Sequence, residues 1–220
     1  MDRKKRLLKR ILLIDEQPVC KDGLEHILED SADFHLQSFC SSLDDLTNDL
    51  PNKPDLIAID ISVARSKGIA AIRELKTRFP LGYILVLTGH DEVLFAERCL
   101  KAGAKGYLMK TANKDELINA LKNVAEGNLH VSERMRARML TRLSGLSGSQ
   151  DEVDFDRLSD RELLIVQHIG QSKNNKEIAN ELQISIKTIE SHRSRIKSKL
   201  QLSSPNELVR YAMKLQKATI

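Results

Sequence analysis

ILLID at 11–15 and LIAID at 56–60 are apolar runs that each end on an aspartate; ILVLT at 84–88 and GYLMK at 106–110 repeat the form with threonine and lysine at the end. The runs are continuous rather than alternating, the mark of parallel strands covered by helices on both faces. Between them lie stretches of helical spacing: 18–29 with Leu24, Ile27 and Leu28, 67–79 with Ile69, Ile72 and Leu75, 92–102 with Val93, Ala96 and Leu100, and 114–125 with Leu117, Leu121 and Val124. FHLQSF (34–39) is a more polar strand, which belongs at a sheet edge, and SLDDLTNDL (42–50) after it reads as one more helix. Five strand–helix repeats predict a doubly wound, parallel, five-stranded α/β sheet.

Beyond 126 the pattern changes. VSERMRARMLTRL (131–143) carries Met135, Met139 and Leu143 at four-residue spacing and predicts a tether helix with a solvated arginine face; SGLSGSQDEVDFD (144–156) is a flexible linker by composition. From 158 onward four helices follow, two with clear start signals: the capping box Ser159-Asp-Arg-Glu162, and Ser204-Pro205-Asn-Glu207 with proline at the first helical position. Between them, a short helix through Ile178, Ala179 and Leu182 and a longer one through Ile189, Ile196 and Leu200, joined by QIS (183–185) with Ser185 as N-cap, form a helix-turn-helix. The organisation is therefore a domain at 10–127, a linker helix and flexible linker at 128–157, and a small all-α domain at 158–220.

At 220 residues, 41% hydrophobic and 30% charged, the chain is a globular one of about two domains. Its apolar runs are too short to cross a bilayer, and its opening lacks a secretory core, so no membrane association and a cytoplasmic location are expected. Three irregularly spaced cysteines fit a reducing compartment and supply no zinc spacing. Net charge is unevenly divided. Residues 11–126 hold 13 Lys/Arg against 19 Asp/Glu, net −6, whereas 158–220 hold 11 against 6, net +5, the footprint of a small domain that meets phosphate backbones.

In a doubly wound sheet, functional groups gather at the carboxyl ends of the strands. Asp15-Glu16, Asp60, Thr88 and Lys110 all fall there, and three carboxylates in one crevice repel unless a hard divalent cation such as Mg²⁺ joins them. These residues resemble the receiver domains of bacterial response regulators, CheY-like in fold with a flavodoxin-like strand order, over about 11–126. The resemblance implies that Asp60 is a phosphoacceptor taking a phosphoryl group from a sensor histidine kinase or phosphotransfer protein, with Mg²⁺ held by Asp15, Glu16, Asp60 and the Ser62 backbone carbonyl. It also implies that Lys110 pairs with Asp60 and then with the phosphoryl group, while Thr88 and Tyr107 form a switch pair. The chain departs from the family at Ala64 and Thr111, where proline is common, so a trans Lys110–Thr111 bond is expected; Glu16 is one methylene longer than the usual aspartate.

The stretch RLSDRELLIVQHIGQSKNNKEIANELQISIKTIESHRSRIKSKLQL (157–202) resembles the LuxR-type helix-turn-helix without gaps, so the whole chain is similar to NarL/FixJ-type transcriptional response regulators. Ser172 stands where that family commonly has glycine, a position where a left-handed conformation strains serine. With Ile189, Ile196 and Leu200 buried, Lys187, Glu190, Ser191, Ser194 and Ser198 share the opposite helix face. That narrow polar face suits a major groove. Glu190, Ser191 and Ser194 are the base-reading candidates, and Lys176, Lys187, Thr188, Arg193, Arg195, Lys197 and Lys199 the phosphate contacts. His168 and His192 lack partners at metal-ligand spacing. The resemblance implies a phosphorylation-switched, sequence-specific DNA-binding regulator of transcription, a homodimer when active, with double-stranded DNA and RNA polymerase as partners, and not an enzyme beyond its own phosphoryl transfer. Three alternatives predict different measurements: the same architecture acting independently of phosphorylation, a Mg²⁺-dependent aspartyl-phosphatase, and a nucleoid-type protein without sequence preference.

Overall fold

The four apolar runs form strands in the computed structural model, which describes residues 8–46, 50, 52–63, 68–144 and 157–219. Contacts divide the chain into two units, Met1–Leu140 and Thr141–Ile220. The first runs β1 (Lys9–Ile14), α1 (Pro18–Leu28), β2 (Phe34–Cys40), β3 (Leu56–Ile59), α2 (Ala70–Arg78), β4 (Tyr83–Thr88), α3 (Glu92–Lys101), β5 (Gly106–Met109), α4 (Lys114–Ala125) and α5 (Glu133–Leu143). All five strands are parallel in the order β2-β1-β3-β4-β5, with the polar β2 at an edge as expected.

Alternation along the strands divides the core into two layers. Ile11, Leu13, Leu56, Ala58, Leu85 and Leu87 pack with Leu24 and Leu28 of α1 and Leu117, Leu121 and Val124 of α4. Leu12, Ile14, Ile57, Ile59, Ile84 and Val86 point the other way and are equally buried, as are Ile72 and Leu75 of α2 and Phe95 and Ala96 of α3. Local signals set the helix starts. Pro18 opens α1, the Asp91 carboxylate accepts from Val93 N–H at 2.8 Å before α3, and Asn113 and Glu116 complete a capping box before α4.

One expected helix is corrected. Residues 41–46 are bends and turns, and 47–49 and 51 lie outside the described residues. The Asp45 carboxylate accepts from both Ser41 and Ser42 hydroxyls, and Ser42 Oγ takes the Asp45 N–H at 3.2 Å, so side chains supply the bonds a helix backbone would have made. Leu43 and Leu46 are buried without it. Ala64 and most of the 144–156 linker are also outside the described residues. Among the described residues no helix is long and apolar enough to cross a membrane.

The second unit holds α6 (Asp160–Gly170), α7 (Asn175–Glu181), α8 (Ile186–Lys199) and α9 (Pro205–Thr219). Ser159 with Glu162, and Asn174 with Glu177, form complete capping boxes, and Ser185 Oγ accepts from Thr188 N–H at 3.0 Å. Ile165, Val166, Ile178, Ile189, Ile196, Leu208 and Leu215 fill the core, while Leu200 is only half-buried. Helices α6, α7 and α8 each end on a left-handed residue that is not glycine: Ser172 at φ 62°, Gln183 at φ 51° and Gln201 at φ 55°. The strain expected at Ser172 is present there; the two glutamines gave no sequence signal.

Candidate functional site

Strand register assembles the crevice. Ile14 lies opposite Ile59 and Ile59 opposite Val86, so Asp15 and Asp60 emerge side by side one residue beyond, and Thr88 pairs with Met109 just before Lys110. Asp15, Asp60 and Thr88 are buried, with Asp15 only 1% exposed. Lys110 Nζ stands 2.8 Å from Asp15 Oδ2 and 2.7 Å from Asp60 Oδ2. Thr88 Oγ1 donates to Asp60 Oδ1 at 2.6 Å, and Ser62 N–H donates to the same oxygen at 2.9 Å. Burial works against ionisation of Asp60, but the bonds from Lys110, Ser62 and Thr88 outweigh it and hold the carboxyl below its ordinary range. Burial likewise opposes the charge of Lys110, and its two carboxylates reverse that and raise its pKa. Asp60 is thus a buried, fully ionised carboxylate facing a committed cation.

The expected crowding of three carboxylates is corrected. Asp15 and Asp60 face Lys110, whereas Glu16, in the bend that follows β1, is exposed. No group of three His, Cys, Asp or Glu side chains converges on a metal-sized point among the described residues. The Asp15 carboxylate still fits a hard cation: Oδ1 takes the Gln17 N–H at 2.9 Å, and buried Oδ2 has the Lys110 ammonium 2.8 Å away. Two buried carboxylates side by side are the oxygen-donor chemistry that Mg²⁺ prefers.

The pair Thr88 and Tyr107 is found with both members turned inward. Tyr107 is 1% exposed, and its hydroxyl donates to the His90 carbonyl at 2.9 Å. His90 N–H in turn lies 3.4 Å from Thr88 Oγ1. The expected trans Lys110–Thr111 bond is present. Sequence reasoning missed Gln17, whose side-chain oxygen lies 3.5 Å from Lys110 Nζ, and the carbonyl role of His90, since a backbone acceptor leaves no mark on residue type.

In the helical unit, Lys187, Glu190, Ser191, Ser194, Arg195 and Ser198 are exposed on α8, opposite buried Ile189 and Ile196; Lys176 is exposed at the start of α7. Lys197 is half-buried. Three of the expected phosphate contacts are otherwise engaged. Thr188 Oγ1 shares a 2.8 Å bond with the Ser185 cap, Arg193 donates to Asn175 Oδ1 at 3.1 Å, and Lys199 pairs at 2.6 Å with Glu162, a carboxylate buried under the α6 cap. Positive charge alone marked Lys199 for DNA; its buried acidic partner lies 37 residues away and was not legible. His168 is buried, with Nδ1 3.2 Å from Lys173 Nζ and from Glu181 Oε2.

The response regulator receiver domain matches residues 11–122, and the luxR family of bacterial regulatory proteins matches 156–212. The chain is 31% identical over 210 residues to the oxygen regulatory protein NreC of Staphylococcus carnosus, covering 93% of this chain and 97% of that protein, and 32% identical over 212 residues to NreC of Staphylococcus epidermidis, with the same coverage. Among solved structures, the response regulator ChrA of a heme-sensing two component system is 27% identical with a TM-score of 0.51, covering 97% of this chain and 99% of that one. RcsB of Salmonella enterica serovar Typhimurium, bound to the promoter rprA in the presence of the phosphomimetic BeF3-, has the same fold at 24% identity and a TM-score of 0.61, covering 94% and 98%. The chain belongs to the NarL/FixJ-type response regulators, two-component proteins that join a receiver domain to a LuxR-type DNA-binding domain and regulate transcription.

Proposed function

We propose that Asp60 accepts a phosphoryl group from a histidine of a sensor kinase or phosphotransfer protein, and that this controls operator binding by the helical domain. One observation carries the reading: a single ammonium, Lys110, lies within 2.8 Å of two buried carboxylates. The carboxylate of Asp60 is ionised and so is ready as a nucleophile; a new P–O bond forms on it as the donor's P–N bond breaks. Lys110 then faces the added negative charge, and the Thr88 hydroxyl is within one bond length of donating to it. Mg²⁺ would be held by Asp15, Asp60 and the Ser62 carbonyl, with Glu16 at the lip, and would neutralise charge on the phosphoryl oxygens.

On DNA, Glu190, Ser191 and Ser194 read base edges from the exposed face of α8, and Lys176, Lys187, Arg195 and Lys197 lie against phosphates. Double-stranded DNA, a second copy of the chain and RNA polymerase are the partners, in the cytoplasm. Incubation with a small phosphodonor and Mg²⁺ should give an acyl phosphate that mass spectrometry maps to Asp60 and that Asp60→Ala lacks.

A second reading is DNA binding independent of phosphorylation, by a chain of the same architecture. Operator affinity of wild type and Asp60→Ala, with and without phosphodonor, separates the two: equal values in all four conditions would mean a constitutive binder.

A further inference from the structure

We propose that residues 128–135 are an output strap, which reports the state of Tyr107 and the α3 N-terminus directly to helix α5 and so to the linker that leads to the DNA-binding domain. The inference rests on the phosphoacceptor reading of Asp60 and adds to it a route by which the signal leaves the receiver.

The first tether is made by backbone. β5 is an edge strand, and edge strands normally leave a row of N–H and C=O groups unpaired. Here His130 pairs with that edge in a parallel bridge opposite Gly106: its N–H donates to the Lys105 carbonyl at 2.9 Å, and its carbonyl accepts from Tyr107 N–H at 2.9 Å. The local sequence is built for this approach. Gly127, at φ +83°, turns the chain out of α4, and a Cβ there would lie 2.8 Å from the Tyr83 hydroxyl. At Gly106 a Cβ would lie 2.6 Å from Val124 and 2.8 Å from Leu85, so glycine here lets α4 pack closely on the edge that the strap pairs with.

The second tether is made by side chains. Ser132 Oγ donates to Glu92 Oε1 at 2.7 Å and accepts from Met135 N–H at 3.0 Å, which makes Ser132 the start of α5 and at the same time a bond to the first residue of α3. Val131 and Met135 on either side are buried, Met135 at 1% exposure, so the strap is anchored and not merely adjacent. Two residues before Glu92, the His90 carbonyl holds the Tyr107 hydroxyl. The beginning of α5 is therefore bonded to the two places that the Thr88–Tyr107 pair would displace, β5 at Tyr107 and the β4–α3 turn. From Asp60 the connection runs through Thr88, His90, Tyr107, His130 and Val131 to Ser132, each step a hydrogen bond or a covalent neighbour. When the β5 backbone shifts at Tyr107, either His130 follows or its carbonyl loses the Tyr107 N–H, and both outcomes alter the start of α5. A packed, bonded contact of this kind has discrete arrangements, which is what coupling between sites requires.

The test uses the full-length protein with a small phosphodonor and Mg²⁺. Three quantities are read: acyl phosphate on Asp60 by intact mass, hydrogen exchange of residues 133–143, and operator affinity. In wild type, phosphorylation should change exchange in α5. In Ser132→Ala and Glu92→Ala, phosphorylation of Asp60 should proceed as in wild type, while the phosphorylation-dependent change in exchange is lost and the gain in operator affinity drops about tenfold, a typical size for coupling between sites. Ser132→Thr, which keeps the hydroxyl, should restore both, and it guards against a variant that simply folds poorly. A phosphorylated wild type with unchanged α5 exchange would overturn the strap, as would Ser132→Ala and Glu92→Ala proteins that respond like wild type. If wild-type exchange responds and its operator affinity does not, the strap stands and phosphorylation control of DNA binding falls. Absence of acyl phosphate on Asp60 defeats the reading of the crevice, and the strap falls with it.

Discussion

Lys199 Nζ lies 2.6 Å from Glu162 Oε2, joining the last turn of α8 to the first turn of α6. The glutamate side chain is 4% exposed and also takes Ser159 N–H at 2.7 Å, so it closes the α6 cap and holds the base-reading helix against the bundle in one step. Removing one partner of a buried pair costs about 3–5 kcal/mol, and the lysine end here is 41% exposed, which reduces that figure. Lys199→Met should therefore destabilise the helical domain by about 2 kcal/mol in chemical denaturation. The slope of log affinity against log salt should hardly change for that variant, whereas Lys187→Ala should reduce it by about 1.

The same carboxylate sets an acid limit. Burial pushes Glu162 up, but the Lys199 ammonium and the Ser159 bonds prevail and hold it below its ordinary range. A group depressed in the folded state stabilises fully above its unfolded pKa and loses that contribution as pH falls through the folded value. Stability should thus hold down to about pH 4.5, the ordinary glutamate range, and decline below it, with Glu162→Gln showing a flatter decline in pH-resolved thermal unfolding. A steeper decline in the variant would contradict the sign.

Lys110→Met leaves Asp15 and Asp60 facing each other without a cation. Asp60 should then titrate higher than in wild type, as measured by carbon NMR of its carboxyl, since the pairing that favoured the anion is gone. Acyl phosphate should still form with Mg²⁺, but the response of DNA affinity should be lost. Chelating Mg²⁺ in wild type should abolish acyl phosphate formation.

Tyr107→Phe keeps the buried ring and loses the bond to the His90 carbonyl. A loss of about 1 kcal/mol in stability is expected, against about 3–5 kcal/mol for Tyr107→Ala, which empties a site that is 1% exposed. Denaturation of the two variants side by side tests the difference.

At the DNA surface, Glu190→Ala should relax preference at a single base position by about 1–3 kcal/mol, leaving neighbouring positions unchanged. Binding selection on randomised operators reads this directly, and uniform weakening across all positions would move Glu190 out of the base-reading set.

Much of this was legible in the chain because strands in a doubly wound sheet announce themselves as unbroken apolar runs, and their last residues fall at one end. Asp15, Asp60, Thr88 and Lys110 were all placed by that rule alone. Glu16 is exposed in the bend after β1 while Asp15 is buried, a difference that spacing alone does not show. The helix expected at 42–50 gives way over 42–46 to Asp45, whose carboxylate draws two serines into local bonds. His130 and Ser132 were invisible since their importance lies in a backbone pairing at Gly106 and in a partner forty residues earlier, neither of which leaves a periodic trace.

The left-handed endings at Ser172, Gln183 and Gln201 carry a consequence for how this regulator can adapt to heat. Each side chain in that conformation sacrifices about 1 kcal/mol, and all three are exposed. Glycine at these junctions relieves the strain and leaves Glu190, Ser191 and Ser194 unchanged. The helical domain thus holds a reserve of thermal tolerance that can be drawn on while its choice of promoter stays fixed.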